Sequence, residues 1–581
     1  MPAFIELKNL TFSYPTLGAP QPPALQDVSI QIEPGEYVAI VGANGSGKTT
    51  LARHLNGLLI PTSGSVLISG FDTQQPSNLA RIRSFVGMVF QAPEDQVIAT
   101  IVEEDVAFGL ENQGVPRAEI LSRVDEALRT VGMESYRLRP SYMLSAGQMQ
   151  RVALAGVLAM RPSCIVFDEA TSLLDPQGRA AVLDMMDRLH ADGMTIINVT
   201  HSMAEAARAR RAIALQKGRV AFDGQPQDLF ADVQRVRALG LDLPPAGQTA
   251  FALHSVLPEI PPTLYRLSDL LAALPPYPGN PDPLRAPEPV SLPVPSSALI
   301  EVQGLGHVYM AGTPLASRAL QGASLSVTGA HAHGLLGATG SGKSTLLQHL
   351  NGLLLPQEGS VRVASFNLND PAADLKALRK MAGMAFQLPE TQIFEQYVGD
   401  EIAYGPRMFG MQQDVRDRVR QAMEMVGLDF EGYKDRLTSA LSGGERRKVA
   451  LASILAFQPD ILLLDEPTAN LDPASRLDLA ARLRALQATG VTLVISSHNM
   501  DEIALLADSL TLMSAGKDVL SGSAGMVFEQ VERLKSLGLE PPATVQAANA
   551  LRRRGWPLPE GILLADQLAL ELRRVLSAQS I

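Results

Sequence analysis

Cysteine is nearly missing: Cys164 is the single one in 581 residues. No intrachain disulfide can form, which fits a reducing, intracellular setting. Long apolar runs are missing too. A membrane span needs about 20 apolar residues in a row. The best run, 152–167, is broken by Arg161-Pro162. The opening stretch MPAFIELKNL has no charged segment leading into an apolar one, so no signal peptide is expected. The expectation is a cytoplasmic protein that can dock onto a membrane partner. Positive charge is in short supply: 49 Lys and Arg against 60 Asp and Glu give −11. Sequence-independent nucleic-acid binding needs a basic surface and is therefore disfavoured. Apolar residues, by contrast, make up 46% of the chain, and mean hydropathy is +0.08. That rules out disorder throughout and supplies packed cores. The length allows about four domains, or two with additions.

The chain is written twice. His54-Leu55-Asn56-Gly57-Leu58-Leu59 recurs as His349-Leu350-Asn351-Gly352-Leu353-Leu354. Gly-Ser-Gly-Lys at 45–48 recurs at 340–343, and Asp168-Glu169 recurs as Asp465-Glu466. His201 recurs as His498. The offset drifts only from 295 to 297, so small loop insertions separate two copies of a unit of roughly 240 residues. Leu239-Gly240-Leu241 and Leu257-Pro258-Glu259 also recur, at 537–539 and 558–560. Each copy thus carries a short, mostly helical C-terminal appendage. Nine prolines fall within residues 275–298. Such a stretch reads as an extended spacer that could reach roughly 70 Å at about 3.1 Å per residue. The expected domains are 1–240, its appendage 241–274, the linker 275–298, the second domain 299–535 and its appendage 536–581.

Apolar runs without alternation fit strands of a parallel α/β sheet covered on both faces. They occur at 37–41, 164–167, 195–199, 461–464 and 492–495. The first ends in Gly42-Ala43-Asn44-Gly45-Ser46-Gly47-Lys48-Thr49, a G-x-x-x-x-G-K-[ST] loop. Gly337-Ala338-Thr339-Gly340-Ser341-Gly342-Lys343-Ser344 repeats it. Glycines let backbone N–H groups wrap a phosphate, and the helix that follows adds its positive end. Thr50 and Thr345, one residue on, complete the candidate nucleotide-binding set. Lys48 and Lys343 are expected to reach the β- and γ-phosphates, and Thr49 and Ser344 to ligand Mg²⁺. Asp168 and Asp465 end apolar strands, where a carboxylate can hold Mg²⁺ through water. Glu169 and Glu466 are placed to orient or deprotonate the attacking water. Cys164 and seven of the nine histidines carry no such context and read as structural or solvated.

With these residues in place, the sequence resembles the nucleotide-binding domains of ABC ATPases, twice over. The distinguishing mark is the signature segment, here Leu144-Ser145-Ala146-Gly147-Gln148 and Leu441-Ser442-Gly443-Gly444-Glu445. Amphipathic helices are expected after them, over 149–160 and 446–457. The resemblance implies an α/β fold with two P-loop NTPase domains, each with a helical signature subdomain. It implies that two domains clasp two ATPs head to tail, Ser442 and Gly444 facing the Lys48 loop and Ser145 and Gly147 the Lys343 loop. Gln91 and Gln387 resemble the Q-loop glutamine that senses Mg²⁺ and water. His201 and His498 resemble the switch histidine, and Asp175 and Asp472 sit at the D-loop position. Tyr14 and Tyr309, 295 apart, resemble the aromatic that stacks on adenine.

A finer resemblance lies after each Q-loop, in Phe90-Gln91-Ala92-Pro93-Glu94-Asp95-Gln96 and Phe386-Gln387-Leu388-Pro389-Glu390-Thr391-Gln392. Glu104-Asp105 and Asp400-Glu401 follow. With the tail Leu558-Pro559-Glu560-Gly561, these are similar to the energy-coupling-factor ATPases of cobalt and vitamin uptake. The resemblance implies an ATP-hydrolysing, Mg²⁺-dependent energy-coupling subunit with both ATPases fused. It further implies a peripheral place on the cytoplasmic face of the cell membrane. The partners implied are an integral membrane scaffold and a substrate-binding membrane subunit. Glu94, Asp95 and Glu390 are candidates for docking the scaffold's arginines.

The copies differ at two family positions. Ala146 stands where glycine is expected, which predicts reduced but not absent function at the site it serves. Ala170 stands where copy two has Pro467, a loss expected to be tolerated. Two competent, unequal sites are expected. Two other readings compete. A soluble twin ATPase acting on ribosomes or DNA usually has a long charged helical linker or metal-binding cysteines, and this chain has neither. In a fused ATPase of sugar importers, one copy commonly loses its catalytic residues, and here neither has.

Overall fold

A computed structural model describes residues 4–15, 22–172, 174, 176–278, 298–313, 315–469 and 471–578. The chain divides into two compact units. The first holds residues 1–244 with Asp472–Ala474, the second the remainder.

In the first unit, the central sheet runs Arg219–Gly224, Arg211–Gln216, Tyr37–Val41, Thr195–Val199, Cys164–Asp168 and Val86–Val89. Its inner pairs are parallel: Tyr37 sits beside Ile196, and Cys164 beside Thr195 and Val86. All three of the apolar runs expected here are strands buried along their whole length. Covered on both faces, they have no need of alternating polarity. Cys164 is a buried core residue. The edge pair Arg211–Gln216 and Arg219–Gly224 is antiparallel. A second, antiparallel sheet orders Leu25–Ile32, Ile5–Phe12, Ser63–Ile68 and Phe71–Asp72. Its strands alternate buried and exposed positions, as Leu25–Ile32 shows, so one face packs and the other meets solvent.

The second unit repeats this plan. Its main sheet runs Ala382–Ala385, Ile461–Asp465, Thr492–Ser497, Ala332–Leu336, Ser509–Ser514 and Lys517–Ser523. The antiparallel sheet orders Ser317–Val327, Ile300–Tyr309, Glu358–Val363 and Phe366–Asn367.

The second unit also contains both C-terminal appendages. Helices Pro245–His254 and Leu267–Ala273 share one hydrophobic core with helices Ala543–Arg553 and Ala565–Ala578. Leu253, Leu270, Leu551, Leu568 and Leu572 are fully buried there. Thr249 Oγ1 and Thr544 Oγ1 lie 3.0 Å apart, and Trp556 Nε1 donates to Pro275 O at 3.0 Å. Neither pair of short helices has enough apolar area for a core of its own, and four together do. Most of the proline-rich segment, residues 279–297, lies outside the described residues. Among the described residues, no helix is long and apolar enough to cross a membrane.

Candidate functional site

Each phosphate loop connects a fully buried strand to a helix, Lys48–Leu55 in the first copy and Lys343–Leu350 in the second. The first glycine, Gly42, has φ 152°, and a Cβ there would lie 2.5 Å from Leu215 O and from Ser46 Oγ. Gly47 has φ 103° and a Cβ would meet Ala24 O at 2.6 Å. Both demands are met only without a side chain. Gly337 and Gly342 repeat this geometry at φ 153° and 101°.

The lysines point back into their loops. Lys48 Nζ donates to Gly42 O at 3.0 Å and to Ala43 O at 3.1 Å. Lys343 Nζ donates to Gly337 O at 2.7 Å and to Ala338 O at 3.1 Å. Burial pushes the Lys48 ammonium below its usual pKa, against the pull of Glu169, Asp472 and Asp168. Ser46 Oγ and Ser341 Oγ are buried and lack a hydrogen-bond partner. Buried hydroxyls are normally satisfied, so these two mark a place where a polar ligand completes the loop. A cationic lysine, inward amides and a free hydroxyl are a donor set that fits phosphate oxygens.

The residues expected to hold a cation lie next to one another. Thr49 Oγ1 donates to Asp168 Oδ1 at 3.1 Å. In the second copy the Ser344 and Ser496 hydroxyls both donate to Asp465. Burial, with the Glu169 charge beside it, lifts Asp168 to about 6. Burial also raises Asp465. A buried carboxylate beside a hydroxyl, its charge disfavoured by burial, fits a divalent cation.

Glu169 and Glu466 follow those aspartates with left-handed backbones, φ 50° in each case. Such a conformation is strained for a non-glycine residue and turns the side chain out of the strand direction. It is the same beside Ala170 as beside Pro467, so the proline is not what sets it. Glu169 Oε2 accepts from Gln91 Nε2 at 3.2 Å and lies 3.6 Å from His201 Nδ1. Lys48 Nζ lies 3.8 Å from its Oε1. Burial pushes the Glu169 carboxyl up, but His201 and Lys48 outweigh it and hold it below the usual range. In the second copy His498 Nδ1 sits 2.9 Å from Glu466 Oε1. Gln387 participates through its backbone, which accepts from Arg447 Nη2 at 2.8 Å.

The signature helices begin earlier than expected, at Ala146–Ala159 and Gly443–Leu455. Ser145 and Ser442 are the caps, each closed by a capping box with Gln148 or Glu445. The box satisfies the first amides locally and leaves the helix start open to an anion. Tyr14 and Tyr309 are exposed rings tied by their hydroxyls to Thr50 Oγ1 at 3.1 Å and Thr345 Oγ1 at 3.2 Å. Asp175 lies outside the described residues.

The loops after the Q-loop are braced by acids. Asp105 Oδ1 accepts from the amides of Ile98 and Ala99 at 2.7 and 3.0 Å. Glu401 Oε2 accepts from those of Phe394 and Glu395 at 3.0 and 2.9 Å. Glu94 and Asp95 are exposed, while exposed Glu390 pairs with Arg446 at 3.1 Å.

Sequence reasoning missed the buried supports. Glu205 accepts from Thr171 Oγ1 at 2.7 Å and Thr200 Oγ1 at 2.8 Å, pinning the turn after Glu169 to the turn before His201. Glu502 accepts from Ser497 Oγ at 2.7 Å in the second copy. The 297-residue offset between Glu205 and Glu502 was the signal that could have found them. Arg447 has no such signal, because its counterpart is Gln150.

The ABC transporter family model matches residues 25–172 and 320–469. Over 588 residues the chain is 34% identical to a Methanosarcina mazei protein named "Putative ABC transporter ATP-binding protein", covering 98% of this chain and 97% of that one. A second relative is the energy-coupling factor transporter ATP-binding protein EcfA1 of Symbiobacterium thermophilum. It is 53% identical over 257 residues, 44% of this chain and 90% of its own. Among solved structures, cbiO1 from Clostridium perfringens, part of the ABC transporter complex cbiONQ, is 34% identical. It covers 41% of this chain and 95% of its own, with a TM-score of 0.37. Two phosphate loops, two capped signature helices and two matches to one family model lead to one conclusion: the chain belongs to the ABC transporter ATP-binding proteins and carries the ATPase domain twice.

Proposed function

We propose that this chain is the fused energy-coupling ATPase of an importer for a vitamin or transition metal. In this reading it is peripheral on the cytoplasmic face of the cell membrane and drives a membrane scaffold with its substrate-binding subunit. The observation that carries the proposal is the completeness of both copies. Each pairs a phosphate-loop lysine, a strand-end aspartate, a glutamate with left-handed backbone and a histidine within reach of that glutamate. The EcfA1 relative at 53% identity supports the energy-coupling subgroup.

The residues divide the work. Lys48, Lys343 and the loop amides hold the β- and γ-phosphates of ATP, and Tyr14 and Tyr309 stack on adenine. Thr49, Asp168 and Gln91, and Ser344, Asp465 and Gln387, hold Mg²⁺, which when bound neutralises developing phosphate charge. Glu169 and Glu466 orient the attacking water and accept its proton. His201 and His498 fix those carboxylates and touch the γ-phosphate. Ser145 and Gly147, with Ser442 and Gly444, present helix N-termini to the ATP held by the opposite copy. Closure on ATP and opening after hydrolysis push on the scaffold. Exposed Glu94, Asp95 and Glu390 receive its arginines.

Affinity purification of the chain from its native membrane tests this. The expected result is co-purification of integral membrane proteins that retain a small molecule or metal ion. Recovery of ribosomes or DNA instead would sink the transport reading.

A further inference from the structure

Arg447 has no equivalent in the first copy. It stands about one turn into the signature helix Gly443–Leu455 and is half-buried. Its guanidinium makes two bonds that leave the helix. Nη1 donates to the backbone carbonyl of Glu466, and Nη2 donates to that of Gln387 at 2.8 Å. One planar group thus ties three segments together: the signature helix, the Q-loop and the strained peptide of the catalytic glutamate. Burial pushes its pKa down, opposed by the charges of Glu390, Glu502, Glu466 and Asp465. A guanidinium stays cationic under such pressure and has the fork that two carbonyls need. The first copy has Gln150 at this place. Its amide donates to Phe90 O at 3.2 Å, and no bond from it to Glu169 is formed among the described residues.

We infer that Arg447 is a positioning residue for hydrolysis: it holds the Glu466 and Gln387 backbones and links them to the signature helix. This rests on the roles proposed above for Glu466 and Gln387 at the ATP held by Lys343. In the first copy Gln150 makes only part of this link, to the residue before Gln91.

The test uses the full chain with Arg447→Gln, the first copy's residue, and Arg447→Lys. Steady-state ATP turnover, affinity for a non-hydrolysable ATP analogue and the melting temperature are measured for each. Losing two charge-assisted bonds to the catalytic loop should lower kcat by about tenfold or more. Analogue affinity should stay within about twofold, since no phosphate contact is removed. Arg447→Lys, which keeps the charge but not the fork, should recover part of the loss. Wild-type turnover in Arg447→Gln overturns the inference. So does a fall in analogue affinity and melting temperature that parallels kcat, which marks a merely structural residue. A wild-type chain without any ATP turnover would instead remove the transport-ATPase reading and this inference together.

Discussion

The two copies of the ATPase domain solve one problem with different contacts. Around Glu169 the neighbours stand back: Gln91 at 3.2 Å, His201 at 3.6 Å and Lys48 at 3.8 Å. Around Glu466 the histidine has closed to 2.9 Å and Arg447 grips the peptide behind it. A 3.6 Å separation is too long for a hydrogen bond, and 2.9 Å is a good one. The second copy thus holds Glu466 through its histidine and its peptide, where the first holds the Glu169 carboxylate through Gln91.

The units differ as well where the antiparallel sheet meets the edge of the central one. In the first copy Arg211 fills this place, paired with Asp223 at 2.6 Å and Glu36 at 3.3 Å. Ser509 takes its position in the second copy, and His333 replaces Val38 on the neighbouring strand. A cleft of about 420 Å³ opens there, lined by His333, Ser509, Thr511 and Asp518 among others. His333 is buried, its ring nitrogens 2.8 Å from Ser509 Oγ and 3.0 Å from Thr511 Oγ1.

The largest effect should come from Glu466 and Glu169, the residues proposed to activate water. Glu466→Gln is expected to lower ATP turnover on the order of 100-fold, and Glu169→Gln by about tenfold. Rates of the two single variants decide it. The reverse order would mean that Ala146 weighs more than the His498 contact, and a variant with wild-type turnover would mark its copy as silent.

A smaller effect separates the cores. Burial pushes His333 down to about 3, from a usual 6.5. The unfolded chain then binds a proton below pH 6.5 that the folded chain refuses until far lower. Stability from this group is therefore present above pH 6.5 and lost as pH falls toward 3. Between pH 7 and 5 the second unit should lose up to about 2 kcal/mol. His333→Val, the first copy's residue, should remove that loss, as urea midpoints at the two pH values will report. An unchanged pH dependence counts against the buried neutral imidazole.

The smallest effect is electrostatic. Arg211→Ser should cost the first unit about 1 kcal/mol, because these pairs are partly solvated. High salt should shrink the difference in melting temperature. A salt-independent loss would assign the cost to packing of the arginine stem instead.

Much of this was legible in the residues. The phosphate loops announce themselves because backbone wrapping of an anion demands glycines at fixed spacing. The buried strands do so because a doubly covered strand must be apolar throughout. The repeat offset then carried each assignment from one copy to the other. Positions outside that logic were hidden. The antiparallel sheet has alternating strands with weak signals. Glu205 and Glu502 look like ordinary helix acids until the fold buries them against hydroxyls. The signature helices start three residues early because their capping boxes, Ser145 with Gln148 and Ser442 with Glu445, sit inside the signature itself.

The sequence alone determined the twofold plan, the two phosphate loops and the order of the candidate site residues, since each depends on local spacing. Only the tertiary structure decided that the two appendages, nearly 300 residues apart in sequence, share one core. It alone showed Arg447 reaching from the signature helix to Glu466. Both depend on long-range contacts whose partners are chosen by packing and burial, and no local pattern in the chain encodes those.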